Sequence, residues 1–356
     1  MKIGIIGAGI NGVCIGWELA SAGHGVTIYE RDTPMAHTSR ASSKLLHGGL
    51  RYLEQGEFRL VREALKQRRY WLDAAPELAK PLKLCLPVYC SSKRGKLILR
   101  LGLILYDGLA SGSGLPGHRW LSAEQLLVDD PQLAHDGLQG GFAFWDCQMD
   151  DLQLGRWAVS MATQRGLVLN EGVEVRSVTE EGIITLGHGS WRKFDCVINV
   201  AGPWAAQLLN QSQIHSQYQL DLVRGSHLIV DRACPQAYLF EVPKDRRIFF
   251  VLPWQKKTLL GTTEIRQDDP NNPQVSESEV SYLLDAYNHY FLRKINKEDI
   301  IDTFSGVRPL IKSASNPSQA TREYVIEQRH HLISVFGGKW TTARALARKV
   351  RNIVER

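Results

Sequence analysis

The first thirty residues constrain the fold more than any other stretch. They read MKIGIIGAGINGVCIGWELASAGHGVTIYE. An apolar run (Ile3, Ile5, Ile6) meets Gly7-Ala8-Gly9-Ile10-Asn11-Gly12, and an apolar-periodic segment follows through Leu19. A β-branched run, Val26-Thr27-Ile28-Tyr29, then closes on Glu30. That order predicts strand, glycine turn, helix, strand and acid. In such a unit the first glycine makes the tight turn, the second lets a pyrophosphate approach the backbone, and the third lets helix pack on strand. The helix N-terminus adds unpaired N–H groups and the positive end of its dipole. Glu30 stands where an acid meets ribose hydroxyls, which argues for NAD or FAD over NADP.

At 356 residues the chain is too long for one ordinary core, so two lobes are expected. A hydrophobic fraction of 44% and a charged fraction of 22% are those of a globular protein. The net charge of +6 is mild, and no block of basic residues interleaved with aromatics points to nucleic acid. It suits an anionic substrate or an anionic membrane surface. The six cysteines (Cys14, Cys85, Cys90, Cys147, Cys196, Cys234) are scattered without metal-ligand spacing and read as reduced, mostly core residues. The chain starts on its first strand, leaving no room for a signal peptide, and no apolar run reaches the roughly 18 residues of a membrane span. The expected location is cytoplasmic. The nearest apolar candidate, Leu97 to Leu109, carries Arg100 and Asp107 and reads as a packed helix, with an interfacial membrane contact as the second reading.

Residues 31–51 form a polar, small-residue stretch, and a loop of that length inside a compact domain is usually functional. Ser42, Ser43 and Lys44 offer hydroxyls and a cation to a pyrophosphate or a ring edge, and His47-Gly48-Gly49 lets backbone approach something flat. A helix is expected from Glu57 to Leu72, a short strand at Leu84–Tyr89, and a strand at residues 138–145. Ser122 and Gln125 read as a capping box, and Asp150-Asp151 begins a helix to Gln164. Val168 to Leu186 reads as a β-meander turning at Gly172 and Glu181-Gly182. A buried strand, Phe194–Val200, ends in Ala201-Gly202-Pro203-Trp204, a second strand–glycine–helix crossing. Strands dominate from Leu220 to Thr263, forming an antiparallel sheet suited to a substrate lobe. A helix (Ser276–Leu292), a strand (His331–Phe336), Gly337-Gly338 and a last helix complete the chain. The closing Gly-Gly aims a helix N-terminus at whatever lies there, an arrangement that fits an FAD stretched across the domain better than an NAD.

These stretches resemble the FAD-dependent glycerol-3-phosphate dehydrogenases, within the D-amino-acid-oxidase-like (DAO) flavoproteins. The resemblance spans nearly the whole chain and is carried by Ser42–Leu53 (SSKLLHGGLRYL), Arg224-Gly225-Ser226-His227, Leu252-Pro253-Trp254, Gly261-Thr262-Thr263-Glu264, Gly306–Leu310 and Gly337–Thr342. It implies a Rossmann-like α/β FAD-binding domain of the glutathione-reductase/DAO type over 1–82, 148–215 and 304–356. A substrate domain, an antiparallel sheet plus helices, would take 83–147 and 216–303. Family members usually carry a further, mostly helical C-terminal domain, whereas this sequence ends at Arg356.

The activity implied is oxidation of sn-glycerol 3-phosphate to dihydroxyacetone phosphate, with electrons passed to a quinone or another acceptor. The implied partners are a small phosphorylated substrate and a peripheral membrane or quinone contact at the inner face of the cytoplasmic membrane, with no nucleic acid. Arginine suits a phosphate clamp because its planar fork makes paired charge-assisted bonds. Arg51, Arg308 and Arg322 match the family's substrate arginines, with Tyr52 and Lys339 beside them. His227 is the expected base, since histidine titrates near working pH, and His47 is its rival. Arg308 joins His227 as the catalytic pair. Contacts to non-covalent FAD are expected from Gly7, Gly9, Asn11, Gly12, Glu30, Arg31, Ser42, Ser43, Lys44, His47, Gly48, Gly49, Val175, Ala201, Gly202, Trp204, Gly306, Gly338, Lys339, Trp340 and Thr341, with no metal. Two alternatives share the cofactor: oxidation of a 2-hydroxy acid or amine, and flavin binding without turnover.

Overall fold

The computed structural model describes residues 1–312 and 324–356. The chain opens with β1 (Lys2–Ile6), α1 (Ile10–Ser21) and β2 (Gly25–Glu30). The polar stretch that follows holds helical turns at Thr38–Arg40 and Leu50–Gln55 and a two-residue strand, β3 (Leu45–Leu46). Next come α2 (Phe58–Ala74), β4 (Ala79–Tyr89), α3 (Lys96–Leu109), β5 (Arg119–Ser122), α4 (Ala123–Asp129) and β6 (Leu138–Met149). Then follow α5 (Asp151–Thr163), β7 (Val168–Glu171), β8 (Val175–Val178), β9 (Ile183–Leu186), β10 (Trp191–Lys193), β11 (Cys196–Asn199) and α6 (Ala205–Gln211). β12 (Leu220–Val230), β13 (Ala237–Glu241), β14 (Ile248–Trp254), β15 (Lys257–Gly261), β16 (Ile265–Arg266) and α7 (Glu277–Tyr290) come next. The chain closes with β17 (Ile300–Ile311), β18 (Val325–Arg329), β19 (Leu332–Phe336) and α8 (Ala343–Val354).

One sheet runs β18-β19-β11-β1-β2-β7, parallel except where β18 joins β19. Its inner strands are buried almost throughout, because α1, α5 and α8 cover one face while α6 and the small β8–β10 sheet cover the other. This double covering is why these strands read as continuous apolar runs. Trp71 of α2 is fully buried there, edge-on to Trp157 and Trp340, and its indole N–H donates to the Thr341 carbonyl at 3.3 Å. The expected meander from Val168 to Leu186 is corrected. β7 pairs parallel to β2, and after the turn at Gly172 only β8, β9 and β10 form the antiparallel unit. Side-chain patterning alone could not separate these, because β7 (VLNE) does not alternate and lies at a sheet edge.

The second sheet is larger and follows β16-β12-β15-β14-β13-β4-β6-β3, with β17 on β12 and β5 on β6. β4 starts at Ala79, five residues before the expected Leu84, and pairs with β6 along its length. β17, which contains Gly306 to Leu310, is an antiparallel strand of this sheet and not part of the parallel one. The expected capping box of Ser122 with Gln125 forms, and a second, not expected, joins Ser276 to Glu279 at the start of α7. Asp150 caps α5 by accepting from the Gln153 N–H at 3.0 Å.

α3 differs from the helices packed on all sides. Leu103 and Tyr106 are buried against the sheet, whereas Leu97, Ile98, Leu101 and Ile104 are at least half exposed. Among the described residues, no helix is long and apolar enough to cross a membrane.

α1 packs onto the first turn at backbone contact, since a Cβ on Gly12 would overlap the Gly7 carbonyl oxygen. Gly12→Ala should therefore cost about 1–3 kcal/mol, as overpacking does. It would be seen as a lower urea midpoint with an unchanged slope; an unchanged midpoint would contradict the packing described.

Candidate functional site

Two clefts meet at one lysine. The first, about 220 Å³, lies at the carboxyl ends of the parallel strands, where ligands sit in open α/β sheets. Gly7 turns with φ +105°, and its hydrogen faces the Val200 carbonyl. The Ile10 N–H, at the N-terminus of α1, donates to the Ser39 hydroxyl at 3.0 Å. Glu30 lies at the end of β2, where its Oε2 accepts from the Ala8 N–H at 2.7 Å and Oε1 from the Asp32 N–H at 3.1 Å. The Arg31 guanidinium stacks 4.0 Å from the Trp204 ring, and His37 lies 4.8 Å from that ring on centroids. Val175, Ala201 and Gly202 complete this wall.

The far side of the same cleft is the closing Gly337-Gly338 turn, with φ +82° and +99°. A Cβ on Gly338 would lie 2.5 Å from Asn11 Nδ2, so the two glycine turns touch through Asn11. Asn11 Oδ1 is buried and has no hydrogen-bond partner among the described residues; neither has Lys339 Nζ. Trp340 donates its indole N–H to the Ser39 carbonyl at 2.7 Å, so the Thr38–Arg40 turn is pinned to the C-terminal unit. These features fit a dinucleotide. The helix end and glycine turns suit a pyrophosphate, Glu30 suits a ribose, and an orphaned ammonium waits at the far end for an anionic partner.

Lys339 Nζ sits 4.1 Å over the ring of Tyr52, and Tyr52 lines the second cleft. That cleft is about 410 Å³, and its polar end carries His47, Gly49, Tyr52, Asp146, Thr262, Glu264 and Arg308. Arg308 Nη2 donates to the Thr263 carbonyl at 2.8 Å, and Nη1 lies 3.4 Å from Glu264 Oε1. Beneath it Glu279, almost fully buried, accepts from Thr263 Oγ1 at 2.6 Å, Ser226 Oγ at 2.7 Å and Arg224 Nη2 at 2.7 Å. Burial alone would raise the Glu279 carboxyl; the hydrogen bonds from Thr263, Ser276 and Ser226 outweigh it and hold it below its usual range.

Several expected residues have other duties. Ser42 donates its N–H and hydroxyl to Asp151 Oδ2 at 3.1 and 2.7 Å, and Lys44 Nζ reaches Asp151 Oδ1 at 2.7 Å. Neither lines either cleft, and with Asp151 they form a buried lock between the loop and α5. Gly48 donates its N–H to Asp146 Oδ1 at 3.1 Å, and Gly306 packs on Ala41. Gly12 and Thr341 are packing positions, the latter accepting from Trp71. Ser43 Oγ lies 2.9 Å from His227 Nε2.

His227 is the main correction. It is 3% exposed, stacks on Phe304 at 4.8 Å and borders neither cleft. Burial first, then the charges of Lys44 and Arg308, lower its pKa to about 3, so it is neutral at working pH. His47 is the histidine at the second cleft. The Arg51 side chain and all of Arg322 lie outside the described residues.

Sequence reading missed Ser39, His37 and Asp146. Asp146 accepts from Arg68 Nη1 at 2.7 Å and Tyr106 at 3.0 Å, both buried, and so fixes the turn after His47. An acid in an otherwise apolar strand, Phe142–Cys147, was the available signal. Glu30, Asp32 and His37 bring one ligand atom each within 4.8 Å of one another, although no metal was expected. The Glu30 oxygens there are already taken by backbone N–H groups.

Residues 2–352 match the family described as FAD dependent oxidoreductase. The aerobic glycerol-3-phosphate dehydrogenase of Escherichia coli (strain K12) is 38% identical over 96% of this chain and 71% of that protein. The D-erythritol 1-phosphate dehydrogenase of Brucella abortus (strain 2308) is also 38% identical, over 97% of this chain and 72% of that protein. A solved glycerol-3-phosphate dehydrogenase from Bacillus halodurans, complexed with FAD, superposes with a TM-score of 0.79 at 24% identity. It covers 99% of this chain, which in turn spans 64% of that one.

The buried imidazole makes a prediction for stability. Above about pH 6.5 His227 is neutral in both states. Below that, the unfolded chain binds a proton that the folded protein refuses until about pH 3, so stability drops as the pH is lowered through this window. His227→Gln should flatten that fall, measured as urea midpoints at stepped pH; parallel profiles would contradict it.

Proposed function

The chain belongs to the FAD-dependent oxidoreductase family, and from that premise we propose that it oxidises sn-glycerol 3-phosphate to dihydroxyacetone phosphate. The observation that carries this reading is the buried Lys339 ammonium, set between a dinucleotide cleft and an arginine-bearing cleft. FAD, when bound, supplies the two-electron acceptor. The first cleft would hold it without a covalent link, through the α1 N-terminus, Glu30, Arg31, Trp204, Gly338 and Lys339. The parallel sheet with its helices serves the cofactor, and the larger sheet, which takes in all of β4, β6 and β17, serves the substrate.

In the second cleft the phosphate faces Arg308, helped by Arg51 and Arg322. Arg308 is held by Thr263 and Glu264, so its fork is oriented before substrate arrives, which lowers the cost of binding. Glu264 offsets part of its charge, so a dianion needs the further cations, Lys339 among them. Tyr52 lies under Lys339 and bonds the substrate. His47 takes the C2 hydroxyl proton, because it reaches the cleft while His227, neutral and enclosed, supports Ser43 behind it. Electrons then leave to a quinone or another acceptor. The exposed leucines of α3 are the surface for a peripheral membrane contact. Both similar enzymes named above act on a phosphorylated polyol, which favours this reading over a hydroxy acid or an amine.

Anaerobic addition of sn-glycerol 3-phosphate should bleach the visible flavin absorbance within seconds. Arg308→Ala should slow the bleaching more than about tenfold, what one lost charge-assisted bond costs. His47→Gln should slow it more than His227→Gln does. Intact flavin that dithionite reduces but sn-glycerol 3-phosphate does not would overturn the proposal.

A further inference from the structure

The second cleft is much longer than its polar end. Away from Arg308 its walls are apolar, with Leu84, Phe144, Leu239 and Phe250 of the sheet and Leu101 of α3 among the lining residues. Its 410 Å³ is within the range of sites that hold drug-sized ligands, and a three-carbon phosphate fills only a fraction of that. Other charged groups on the wall are already paired: Asp146 with Arg68, and Arg94 with Glu54 and Glu241. The tract ends beside an apolar surface, for Leu97, Ile98 and Leu101 are 69%, 62% and 59% exposed. Contiguous exposed apolar surface on a soluble lobe marks an interaction site.

We propose that this cleft accepts glycerol phosphates whose C1 oxygen carries an alkyl chain. The inference rests on the sn-glycerol 3-phosphate reading and extends its substrate class. The phosphate and C2 hydroxyl take the Arg308–His47 end, the chain lies along the leucine tract, and its tail leaves beside Leu101. A polyol gains nothing from Leu84 or Phe144, whereas each methylene taken out of water there is stabilising. The reaction balances as for the short substrate. The C2–H bond breaks with its electron pair going to FAD, the C2 hydroxyl proton goes to His47, and the carbon–oxygen bond becomes a ketone. The C1 ether and the phosphate ester stay intact.

The test compares 1-O-octyl-sn-glycerol 3-phosphate, below its micelle concentration and without vesicles, with sn-glycerol 3-phosphate on the FAD-loaded enzyme and a soluble dye acceptor. The octyl compound should show a kcat/KM at least tenfold higher. Leu101→Arg should lower the octyl value until the two substrates lie within twofold. Calorimetry with 3-(octyloxy)propyl phosphate, which has no C2 hydroxyl, should show the same tenfold preference over propyl phosphate. An octyl compound no better than sn-glycerol 3-phosphate, or an advantage untouched by Leu101→Arg, overturns the proposal. So does a Leu101→Arg defect confined to reoxidation by a quinone. If neither alcohol is oxidised, the activity itself fails, and the calorimetric preference alone decides the cleft's ligand.

Discussion

Parallel pairing of β1 with β11, and of β11 with β19, is the constraint on which the site depends. All three strands end at one edge, so the turn after β1 and the turn after β19 face each other. Asn11 and Gly337 are 326 positions apart in sequence and within 3.5 Å in the fold. Because the sheet is covered on both faces, its strands cannot slide without exposing buried apolar rows, and a one-residue slip would turn each strand over. The cleft is thus as rigid as the core beneath it. Glycine is required where the two turns meet, since a side chain on Gly338 would displace Asn11.

Charge follows the same logic. Lys44 and Arg68 are buried and Arg224 is half-buried, and each has its carboxylate: Asp151, Asp146 and Glu279. Removing one partner from such a pair leaves an uncompensated charge, which is far costlier than losing a surface bridge. These pairs hold, in turn, the loop after β2, the turn after His47 and the strand end beneath Arg308. Lys339 breaks the pattern, because its buried ammonium has no hydrogen-bond partner among the described residues. Among the described residues, Lys44 and Arg68 are paired and this ammonium is not, which leaves a place for an anionic group from outside the chain.

Much of this was legible in the sequence because it is local. The Gly7–Gly12 turn, the capping box at Ser122 and the helix start at Asp150 depend on neighbours a few residues away, and all formed as read. The closing Gly337-Gly338 turn was legible for the same reason. What escaped was long-range. Lys44 looks like a cofactor cation until Asp151, 107 positions away, is placed against it. His227 looks like a titrating base until Phe304 and Gly261 close over it, and then burial decides its protonation. Asp146 stands out only as an acid in an apolar strand; its role appears when α2 and α3 bring Arg68 and Tyr106 to it. The border between the lobes was similarly hidden, since β17 is an ordinary alternating strand whose partner is β12.

Lys339, stacked on Tyr52 and without a hydrogen-bond partner among the described residues, is the cation proposed to meet the flavin. A redox titration of FAD bound to the wild-type and Lys339→Met proteins tests that proposal most directly. A desolvated cation favours the reduced, anionic ring, so the substitution should lower the midpoint potential by about 30 mV or more, the equivalent of about 1.4 kcal/mol for two electrons. Equal potentials in two proteins that both retain FAD would contradict the account.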